Sequence, residues 1–379
     1  MGADSYHAQM GQQWDAVVIG AGIIGLAVGR ELARRGARTV ILDERTAGSG
    51  ATQASAGVLA PYIEAPDGGA LHELTVRSLL VYDRFIEGVR DDSALPVEYR
   101  RTGTMEVAGS AAAAERLTGV AASLRLAGVD AVWVDGADAV RLEPALARPE
   151  GALLLETHGY VRVGQLVAAL RTAALQHGAT LIEQCRVMDI APRAEGLVVT
   201  AGDQTHTSTT VVVAAGSWSE LVAAGPAVTP VRGQLLQLHW KGPPVTRVLW
   251  SDSCYVVPWL DGTVLVGATV ENAGFDQRTT LAGVRGLADA ACRLMPSATG
   301  ATFVEARAGL RPSTADGVPL IGRSARHPGL VYATGHYLNG VLLAPLTATL
   351  IADLVIDGRS DPVLARTAPD RHPHPHGDA

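Results

Sequence analysis

The feature that most constrains the fold is a glycine motif near the start of the chain. The apolar run Asp15–Ile19 leads directly into GAGIIG at residues 20–25, and LAVGRELARRG follows at 26–36. This order predicts a strand, a tight glycine turn and a helix, as in dinucleotide-binding βαβ units. The first glycine permits the turn, the second lets the backbone approach a pyrophosphate, and the third permits close packing of the helix on the strand. We therefore predict a dinucleotide site with its anion at the helix N-terminus.

An acidic residue follows at the position that such a unit needs. A second predicted strand, Arg38–Leu42, ends at Asp43, and a carboxylate about 20 residues beyond the glycines accepts hydrogen bonds from an adenosine 2′-hydroxyl. A 2′-phosphate at that place would be repelled by the carboxylate. The unit therefore disfavours NADP, but it does not choose between NAD and FAD.

The segments downstream favour FAD. An NAD dehydrogenase would continue the alternating βα pattern, but Gly50–Pro61 reads GATQASAGVLAP, a loop of small residues without strand character. Such a loop can lie flat against a bulky ring. A later apolar strand, Thr209–Ala215, ends in Ala-Gly-Ser-Trp, and GLRPSTADGVPLIG occupies residues 309–322. We interpret both as dinucleotide-contacting elements recruited from distant parts of the chain.

Composition excludes several classes of protein. Of the 379 residues, 47% are hydrophobic and 18% are charged, with 31 Lys and Arg against 38 Asp and Glu. This balance predicts a globular protein and leaves no basic surplus for binding nucleic acid. The three cysteines, Cys185, Cys254 and Cys292, lie far apart, which fits a reducing cytoplasm and neither a disulfide framework nor a metal cluster.

Neither end of the chain reads as a targeting or membrane segment. The residues before Trp14 lack the basic and apolar regions of a secretory signal. The apolar segment Gly340–Ile356 is interrupted by Pro345 and Asp353, so we expect a buried helix and no membrane partner. Residues 372–379, rich in His and Pro, are expected to be a frayed end.

A set of motifs carries a resemblance to one family. In chain order they are GAGIIGLA, ATQASAGVLAP, HGYVRVGQLVAAL, VVVAAGSWS, PVRGQ, CYVVPW, VGATVE, AGLRPSTADGVPLIG and ATGHYLNGVLLAPLTATLIADL. By their order and spacing, from residue 14 to residue 356, the chain resembles the glycine oxidase branch of the D-amino-acid oxidase and sarcosine oxidase flavoenzymes. The resemblance implies bound FAD in a Rossmann-like domain assembled from three stretches, with a substrate domain on an inserted antiparallel sheet.

We therefore expect the α/β fold class, in an α+β two-domain arrangement. Helical patterns near residues 72–89 and 112–128, and a hairpin turn at Asp261-Gly262, fit a mixed insert. The expected bounds are 14–90, 150–225 and 300–357 for the FAD-binding domain, 91–149 and 226–299 for the substrate-binding domain, and 1–13 and 366–379 for disordered ends.

The resemblance also implies which residues hold FAD, without a covalent bond. The turn Asn339-Gly340 opens a helix whose N-terminus can face the flavin N1–C2=O and stabilise charge that develops there. His336 is expected to contribute through its backbone. The implied FAD-contacting residues are Gly20, Gly22, Ile23, Ile24, Gly25, Asp43, Glu44, Ala51, Thr52, Ala56, Gly57, Val58, Val187, Gly216, His336, Tyr337, Leu338, Asn339, Gly340, Val341 and Leu342.

Two residues match the family's substrate-binding pair. Arg311 in GLRP and Tyr255 in CYVVP match the arginine and the tyrosine that grip the substrate carboxylate. A planar guanidinium suits bidentate carboxylate binding. A neutral amine can expel a hydride from the α-carbon, so no side-chain base is demanded and no metal is expected. The catalytic assignment is therefore Tyr255 and Arg311.

Several positions depart from the usual pattern of the family. Leu338 stands where many members carry an arginine, and Ser253 where a bacterial member has a histidine. Val58 and Val270 stand where methionines are common, and Asp43 where a glutamate is more usual. Loss of one charge-assisted hydrogen bond costs about 1.5–3 kcal/mol, which predicts weaker glycine binding unless another group compensates. Leu338 could instead contact a longer or N-substituted amino acid.

The expected reaction is oxidation of glycine, or of a glycine-like or N-substituted amine, to the imino acid with reduction of O₂ to H₂O₂. We expect a cytoplasmic homo-oligomer that acts in thiamine thiazole synthesis. Alternatives stay open. They are an oxidase or dehydrogenase for a different, larger or D-amino acid in secondary metabolism, an N-methyl amino-acid oxidase, a flavin-binding protein without turnover, and an NAD dehydrogenase.

Overall fold

The computed structural model describes residues 12–371 except 67, 195 and 224. The strands, in chain order, are β1 (Gln12–Ile19), β2 (Thr39–Leu42), β3 (Val58–Leu59), β4 (Tyr99–Arg100), β5 (Thr104–Ala108), β6 (Val132–Asp135), β7 (Gly151–Leu155), β8 (Gly159–Val161), β9 (Thr180–Ile182), β10 (Val187–Arg193), β11 (Gly196–Ala201), β12 (Gln204–Val213), β13 (Thr229–His239), β14 (Val248–Trp250), β15 (Tyr255–Pro258), β16 (Thr263–Gly267), β17 (Thr302–Ser313), β18 (Leu320–Arg323) and β19 (Leu330–Thr334).

Helices connect and cover these strands. The α-helices are α1 (Ile23–Arg34), α2 (Pro61–Glu64), α3 (Gly69–Ser93), α4 (Ala111–Leu126), α5 (Gly136–Leu142), α6 (Val163–Gln176), α7 (Ser219–Val222), α8 (Leu281–Leu294), α9 (Gly340–Ile356) and α10 (Leu364–Thr367). Short 3₁₀ turns occupy Ala51–Ala54, Gly216–Trp218, Pro296–Gly300, Tyr337–Asn339 and Pro369–Arg371.

The first sheet carries the glycine motif. Its order is β10-β11-β12-β1-β2-β9, with β19 also beside β12 and β18 beside β19. The central strands β12, β1, β2 and β9 are parallel, and β1 and β2 present near-continuous apolar runs because both faces of a parallel sheet are covered. Helix α1 packs against α6 and α9, and α3 packs against the same two helices. This is the Rossmann-like half that the sequence predicts.

The second sheet is mostly antiparallel and lies beside the first. Its order is β17-β13-β16-β15-β14-β5-β7-β6, and α8 packs against β13. The long pair β13 and β17 runs from Thr229↔Ser313 to His239↔Thr302. The predicted hairpin is confirmed, because β15 and β16 pair around the turn at Asp261-Gly262, where Gly262 has a φ of +81°. A small third sheet joins β3, β8 and β4.

The structure differs from the predicted domain bounds at two strands. Both β7 and β17 fall within stretches that the sequence assigns to the FAD-binding domain, yet both are strands of the second sheet. β7 pairs with β5 and β6, and β17 pairs with β13 along its length. The sheet to which a strand belongs depends on its hydrogen-bonded neighbour, which a local apolar pattern does not specify.

Two further expectations need correction. Gly50–Pro61, expected to lack strand character, contains β3, which pairs with β8. The ends expected to be disordered are partly ordered, because residues 12 and 13 belong to β1 and residues 366–371 lie in short helical turns. There Arg371 forms an ion pair with Asp316 at 2.9 Å. The expectations for residues 1–11 and 372–379 lie outside the described residues.

Helix α9 is the buried helix that the sequence predicts. The segment Tyr337–Ile356 is long and apolar enough to cross a membrane, but 67% of its most apolar stretch is buried inside the protein, as in a core helix. Pro345 has no N–H for the carbonyl of Val341. The Tyr82 hydroxyl donates to that carbonyl at 3.1 Å, and Ser78 Oγ donates to the Leu342 carbonyl at 2.6 Å. Helix α3 thereby anchors the first turn of α9.

Candidate active site

Two adjoining cavities begin at the carboxyl ends of the parallel strands. The larger, of about 310 Å³, extends from the glycine motif to residues of β15 and β17 in the second sheet. The smaller, of about 190 Å³, shares Gly20, Asp43 and Arg45 with it and reaches Val187. The carboxyl ends of parallel strands are where open α/β sheets bind their ligands. Together the cavities form an elongated space that joins the two sheets.

The glycine motif forms a cradle that side chains would fill. Gly20 has a φ of +103°, and a Cβ there would lie 2.5 Å from the Ala214 carbonyl oxygen. A Cβ on Gly25 would overlap the Gly20 carbonyl oxygen, so Gly25 permits contact between α1 and the turn. At Gly22 a Cβ would lie 3.3 Å from Thr52 Oγ1. The turn at Gly20 and the packing of α1 at Gly25 thus have a steric basis, and the role predicted for Gly22 toward a pyrophosphate stays a prediction.

The N-terminus of α1 is free to bind an anion. Its N-cap is Gly22, which supplies no side-chain cap, and the first turn holds no acidic residue. The Ile23 N–H donates to Thr52 Oγ1 at 3.1 Å, which ties the 3₁₀ turn Ala51–Ala54 to the motif. Unsatisfied N–H groups and the helix dipole favour a phosphate at this point. These features fit the pyrophosphate of FAD.

Asp43 connects the motif to the second strand. Its Oδ2 accepts from the Ala21 N–H at 2.6 Å, and its Oδ1 accepts from the Arg45 N–H at 2.8 Å. Burial raises the pKa of this carboxyl, although the two backbone donors oppose the shift. Asp43 therefore fastens the glycine turn and also borders both cavities. Glu44 and Val187 border the smaller cavity, at the end expected to take adenosine.

Most of the predicted FAD-contacting residues border this space. The larger cavity is lined by sixteen of them, namely Gly20, Gly22, Ile23, Ile24, Asp43, Ala51, Thr52, Ala56, Gly57, Val58, Gly216, His336, Tyr337, Leu338, Gly340 and Val341. Three do not line either cavity. Gly25 packs behind the turn, Leu342 is in the apolar core, and Asn339 is buried with no partner for its Oδ1 among the described residues.

The start of α9 lies at the cavity as predicted. Helix α9 begins at Gly340, its N-cap Asn339 provides no side-chain cap, and its first turn holds no acidic residue. His336 Nε2 lies 3.1 Å from Thr347 Oγ1, and burial lowers the pKa of His336 to about 3. The imidazole is therefore neutral at physiological pH. It holds the loop to the helix and supplies no charge to the cavity.

Arg311 and Tyr255 lie at the opposite end of the same cavity. Arg311, on β17, donates from Nη1 to the Thr269 carbonyl at 3.0 Å, and it forms no ion pair with any residue in the described part of the chain. A Cβ on Gly233, across the strand pair, would overlap the Arg311 guanidinium, so this glycine makes room for it. The guanidinium keeps donors available for a carboxylate.

Tyr255 is held as a neutral hydroxyl. It lies on β15, and its ring centroid is 5.1 Å from that of Trp250. Burial raises the pKa of Tyr255 well above its usual value, with Arg311 acting in the opposite direction. A Cβ on Gly267 would overlap the Tyr255 ring and hydroxyl, so this glycine makes room for the phenol. A neutral phenol can donate a hydrogen bond to a bound carboxylate.

The four predicted pocket residues all line the larger cavity, at different depths. Val58 is 8% exposed, whereas Leu338 is 38% and Val270 is 66% exposed. Ser253 is also exposed, on the loop before β15. Val58 therefore shapes the interior, and the other three lie at the mouth. Leu338 itself brings no charge to the mouth.

Sequence reasoning missed other cavity residues. The Arg45 guanidinium lies 4.2 Å from the centroid of the Trp218 ring, where both border the two cavities. Arg45 follows Asp43 so closely that its position could have been inferred from the motif. Glu64, at the end of α2, also lines the larger cavity. No local pattern marks Glu64, because only the folded chain brings α2 to β15 and β17.

The comparisons agree with this geometry. Residues 15–354 match the sequence profile of the DAO family, described as FAD dependent oxidoreductase. A glycine oxidase of Geobacillus kaustophilus is 34% identical over 353 residues, which cover 91% of this chain and 94% of that protein. The bifunctional protein ThiO/ThiG of a Nostoc strain is 34% identical over 360 residues, 93% of this chain and 54% of that longer protein.

Solved structures share the whole architecture. The crystal structure of glycine oxidase from Geobacillus kaustophilus superposes with a TM-score of 0.92 at 33% identity, covering 95% of this chain and 99% of that one. An iminodiacetate oxidase from Chelativorans superposes with a TM-score of 0.86 at 28% identity, covering 93% and 98%. Both domains are therefore shared with these enzymes.

Proposed function

This chain belongs to the family of FAD-dependent oxidoreductases, and we propose that it oxidises glycine or a small N-substituted glycine at the expense of O₂. The observation that carries the proposal is the pairing of two sites in one cavity. A phosphate-binding cradle lies at one end, and an unpaired arginine beside a neutral tyrosine lies at the other. The named glycine oxidases, similar over nearly the whole chain, support this reading over larger substrates.

FAD would be held by the glycine motif, by Thr52 and by the start of α9. When bound there, FAD would supply a hydride acceptor for the substrate α-carbon and a route for the two electrons to O₂, with H₂O₂ as the reduced product. The first-turn N–H groups of α9, a turn with no side-chain cap and no acidic residue of its own, stabilise negative charge near Gly340. FAD is held without a covalent bond in this proposal.

The chain's own residues position the substrate. Arg311 binds the carboxylate through its guanidinium, and the Tyr255 hydroxyl donates a hydrogen bond to the same carboxylate. The α-carbon loses its hydride and its nitrogen lone pair forms the C=N bond, so the product is an imino acid. Water then converts the imine of glycine to glyoxylate and ammonia. Leu338 and Val270, apolar and at the mouth, tolerate a substituent on nitrogen.

The ThiO/ThiG relative supports a role in thiamine synthesis. We propose that the imine of glycine, the product of this enzyme, is consumed in forming the thiazole ring. We also propose that the enzyme is a cytoplasmic homo-oligomer, as the family resemblance implies. Light scattering on the purified protein tests the assembly, and a mass of one chain would refute it.

The test of the proposed function is anaerobic bleaching of the flavin absorbance in purified protein. The panel is glycine, sarcosine, N-ethylglycine and small D- and L-amino acids, with peroxide measured after air is admitted. The proposal predicts bleaching by glycine or sarcosine and about one H₂O₂ per substrate. Bleaching only by larger amino acids, or bleaching without peroxide on reoxidation, would contradict it.

A further inference from the structure

One buried carboxyl of the larger cavity has no role in the account above. Glu64 ends the short helix α2 and lines the cavity with Arg311 and Tyr255. Its Oε2 is shielded from solvent and has no hydrogen-bond partner among the residues that the structure describes. A buried carboxyl without a donor is costly, and such groups concentrate at functional sites. The missing partner is therefore expected to be a ligand.

The surroundings of Glu64 select the charge of that ligand. Arg311 faces Glu64 from β17, and Tyr255 faces it from β15. The charge of Arg311 lowers the pKa of Glu64, and the charge of Glu64 raises the pKa of Tyr255. His72 on α3 lies near the end of α2, with Nδ1 2.7 Å from the Ala65 carbonyl. Asp252 also lines the cavity, but it pairs outward with Arg116. Near Glu64 the cavity thus offers the guanidinium of Arg311, whereas Arg45 lies over the Trp218 ring, and the Glu64 carboxyl lacks a donor for its Oε2 among the described residues.

We propose that Glu64 binds the amino group of the substrate, so that the carboxylate lies on Arg311 and the ammonium lies on Glu64. This inference rests on the proposed function and deepens it. A zwitterion carries both charges at the ends of a short molecule, which matches a pocket with an arginine and a carboxyl at the same end. A carboxylate without an amine leaves Oε2 unpartnered, so the pocket discriminates against it.

Glu64 also provides a place for the ammonium proton. An ammonium has no lone pair and cannot expel a hydride. Above a pH of about 8, where Glu64 is a carboxylate, the N–H bond of the bound ammonium breaks and an O–H bond forms on Glu64, so that the amine is neutral and the total number of protons is unchanged. Below that pH, Glu64 must first release its own proton to solvent. Burial raises the pKa of Glu64 to about 8, opposed by Arg311, so the carboxyl can hold this proton near neutral pH.

The test compares glycine with acetate, which has the carboxylate but no amine. The Glu64→Gln variant keeps the shape and removes the charge. We expect glycine binding at pH 8.5, where Glu64 is ionised, to weaken by roughly 10- to 100-fold in the concentration dependence of anaerobic bleaching. Acetate binding at pH 7, where Glu64 is neutral, should change less than about 2-fold. The bleaching rate of the variant should rise with pH as free glycine loses its own ammonium proton.

A second readout uses the pH dependence of acetate binding. In the unchanged enzyme, acetate affinity should fall as pH rises through about 8, because Glu64 becomes an anion beside the bound carboxylate. In Glu64→Gln the affinity should not change over this range, since Tyr255 stays neutral. The matched control is Glu106→Gln. Glu106 lies half-buried on β5, pairs with Arg116 of α4, and has its pKa raised by burial as Glu64 does.

The outcomes separate this inference from the proposed function. If no amino acid bleaches the unchanged enzyme, the proposed function fails first. If glycine bleaches it but Glu64→Gln retains the same ratio of glycine to acetate affinity, the role of Glu64 is refuted. Equal losses for glycine and acetate would show instead that Glu64 only positions Arg311. A normal thermal midpoint and flavin spectrum for Glu64→Gln confirm that the variant is folded.

Discussion

The glycine-motif end of the cavity is built from backbone, and the opposite end is built from side chains. Residues 20–25 are contiguous, and what they offer to a ligand is free N–H groups and the absence of Cβ atoms. Arg311, Tyr255 and Glu64 come from β17, β15 and α2, which are far apart in the sequence. A backbone site needs a fixed local spacing, whereas a side-chain site needs strands brought together by the fold. The two ends should therefore respond to mutation in different ways.

The largest effect is expected at the backbone end. In Gly25→Val the new side chain overlaps the Gly20 carbonyl and separates α1 from the turn. We expect complete loss of FAD, measured as the ratio of flavin to protein absorbance after purification. Gly119→Ala is the control, because it lies in α4 with open space around it, and it should stabilise the fold by roughly 0.5–1 kcal/mol. A Gly25→Val protein that keeps its flavin absorbance would contradict the role of the glycine turn in binding FAD.

The next effect is at the side-chain end, where FAD should be retained. Arg311→Met removes the guanidinium proposed to bind the carboxylate, and kcat/KM for glycine should fall by roughly 10²–10³-fold. Steady-state peroxide formation measures this loss, and the flavin spectrum shows that FAD remains. Arg285→Met, on the exposed face of α8, should be unchanged. Loss of FAD in Arg311→Met would show that the two ends are not independent.

Tyr255→Phe sharpens the comparison by removing one hydroxyl. The ring still packs against Trp250, but the donor to the carboxylate is lost. We expect KM for glycine to rise by roughly 10-fold with a smaller change in kcat, as for a hydrogen bond made in both ground and transition states. An unchanged KM would place the carboxylate on Arg311 alone.

The smallest effect is expected at the mouth. Leu338→Arg restores the cation that many family members carry, at a position 38% exposed. The preference for glycine over N-ethylglycine should increase by roughly 5-fold, because a half-exposed ion pair is weak and solvent screens it. Bleaching rates with both substrates measure the preference. A shift toward N-ethylglycine would show that Leu338 does not contact the nitrogen substituent.

Burial of Glu64 also affects stability. Its pKa is about 8 in the folded enzyme against 4.5 for the ordinary group, so the folded state binds the proton more tightly. The stabilisation is complete below pH 4.5 and is lost as pH rises to about 8. Denaturant unfolding should therefore show Glu64→Gln gaining stability over the unchanged protein across this window, by several kcal/mol at about 1.4 kcal/mol per pKa unit. Parallel pH profiles would contradict the raised pKa.

The same comparison explains what the sequence could predict. The βαβ unit, the hairpin at Asp261-Gly262 and the start of α9 at Gly340 follow from local periodicity and glycine turns. The pairing of β7 and β17 with the second sheet does not follow from them, because the residue pattern of a strand does not specify which strand it pairs with. Arg311 and Tyr255 were identified through family resemblance, and Glu64 emerged only from its burial in the folded chain.

The most direct measurement is a crystal structure of the FAD-loaded enzyme with glycolate, a carboxylate that does not reduce the flavin as an amine does. The account predicts pyrophosphate at the N-terminus of α1, with the glycolate carboxylate within hydrogen-bond distance of both Arg311 and the Tyr255 hydroxyl. A carboxylate bound elsewhere in the cavity, with Arg311 still bonded only to the Thr269 and Arg232 carbonyls, would contradict the central claim that one cavity joins a backbone cofactor site to a side-chain substrate site.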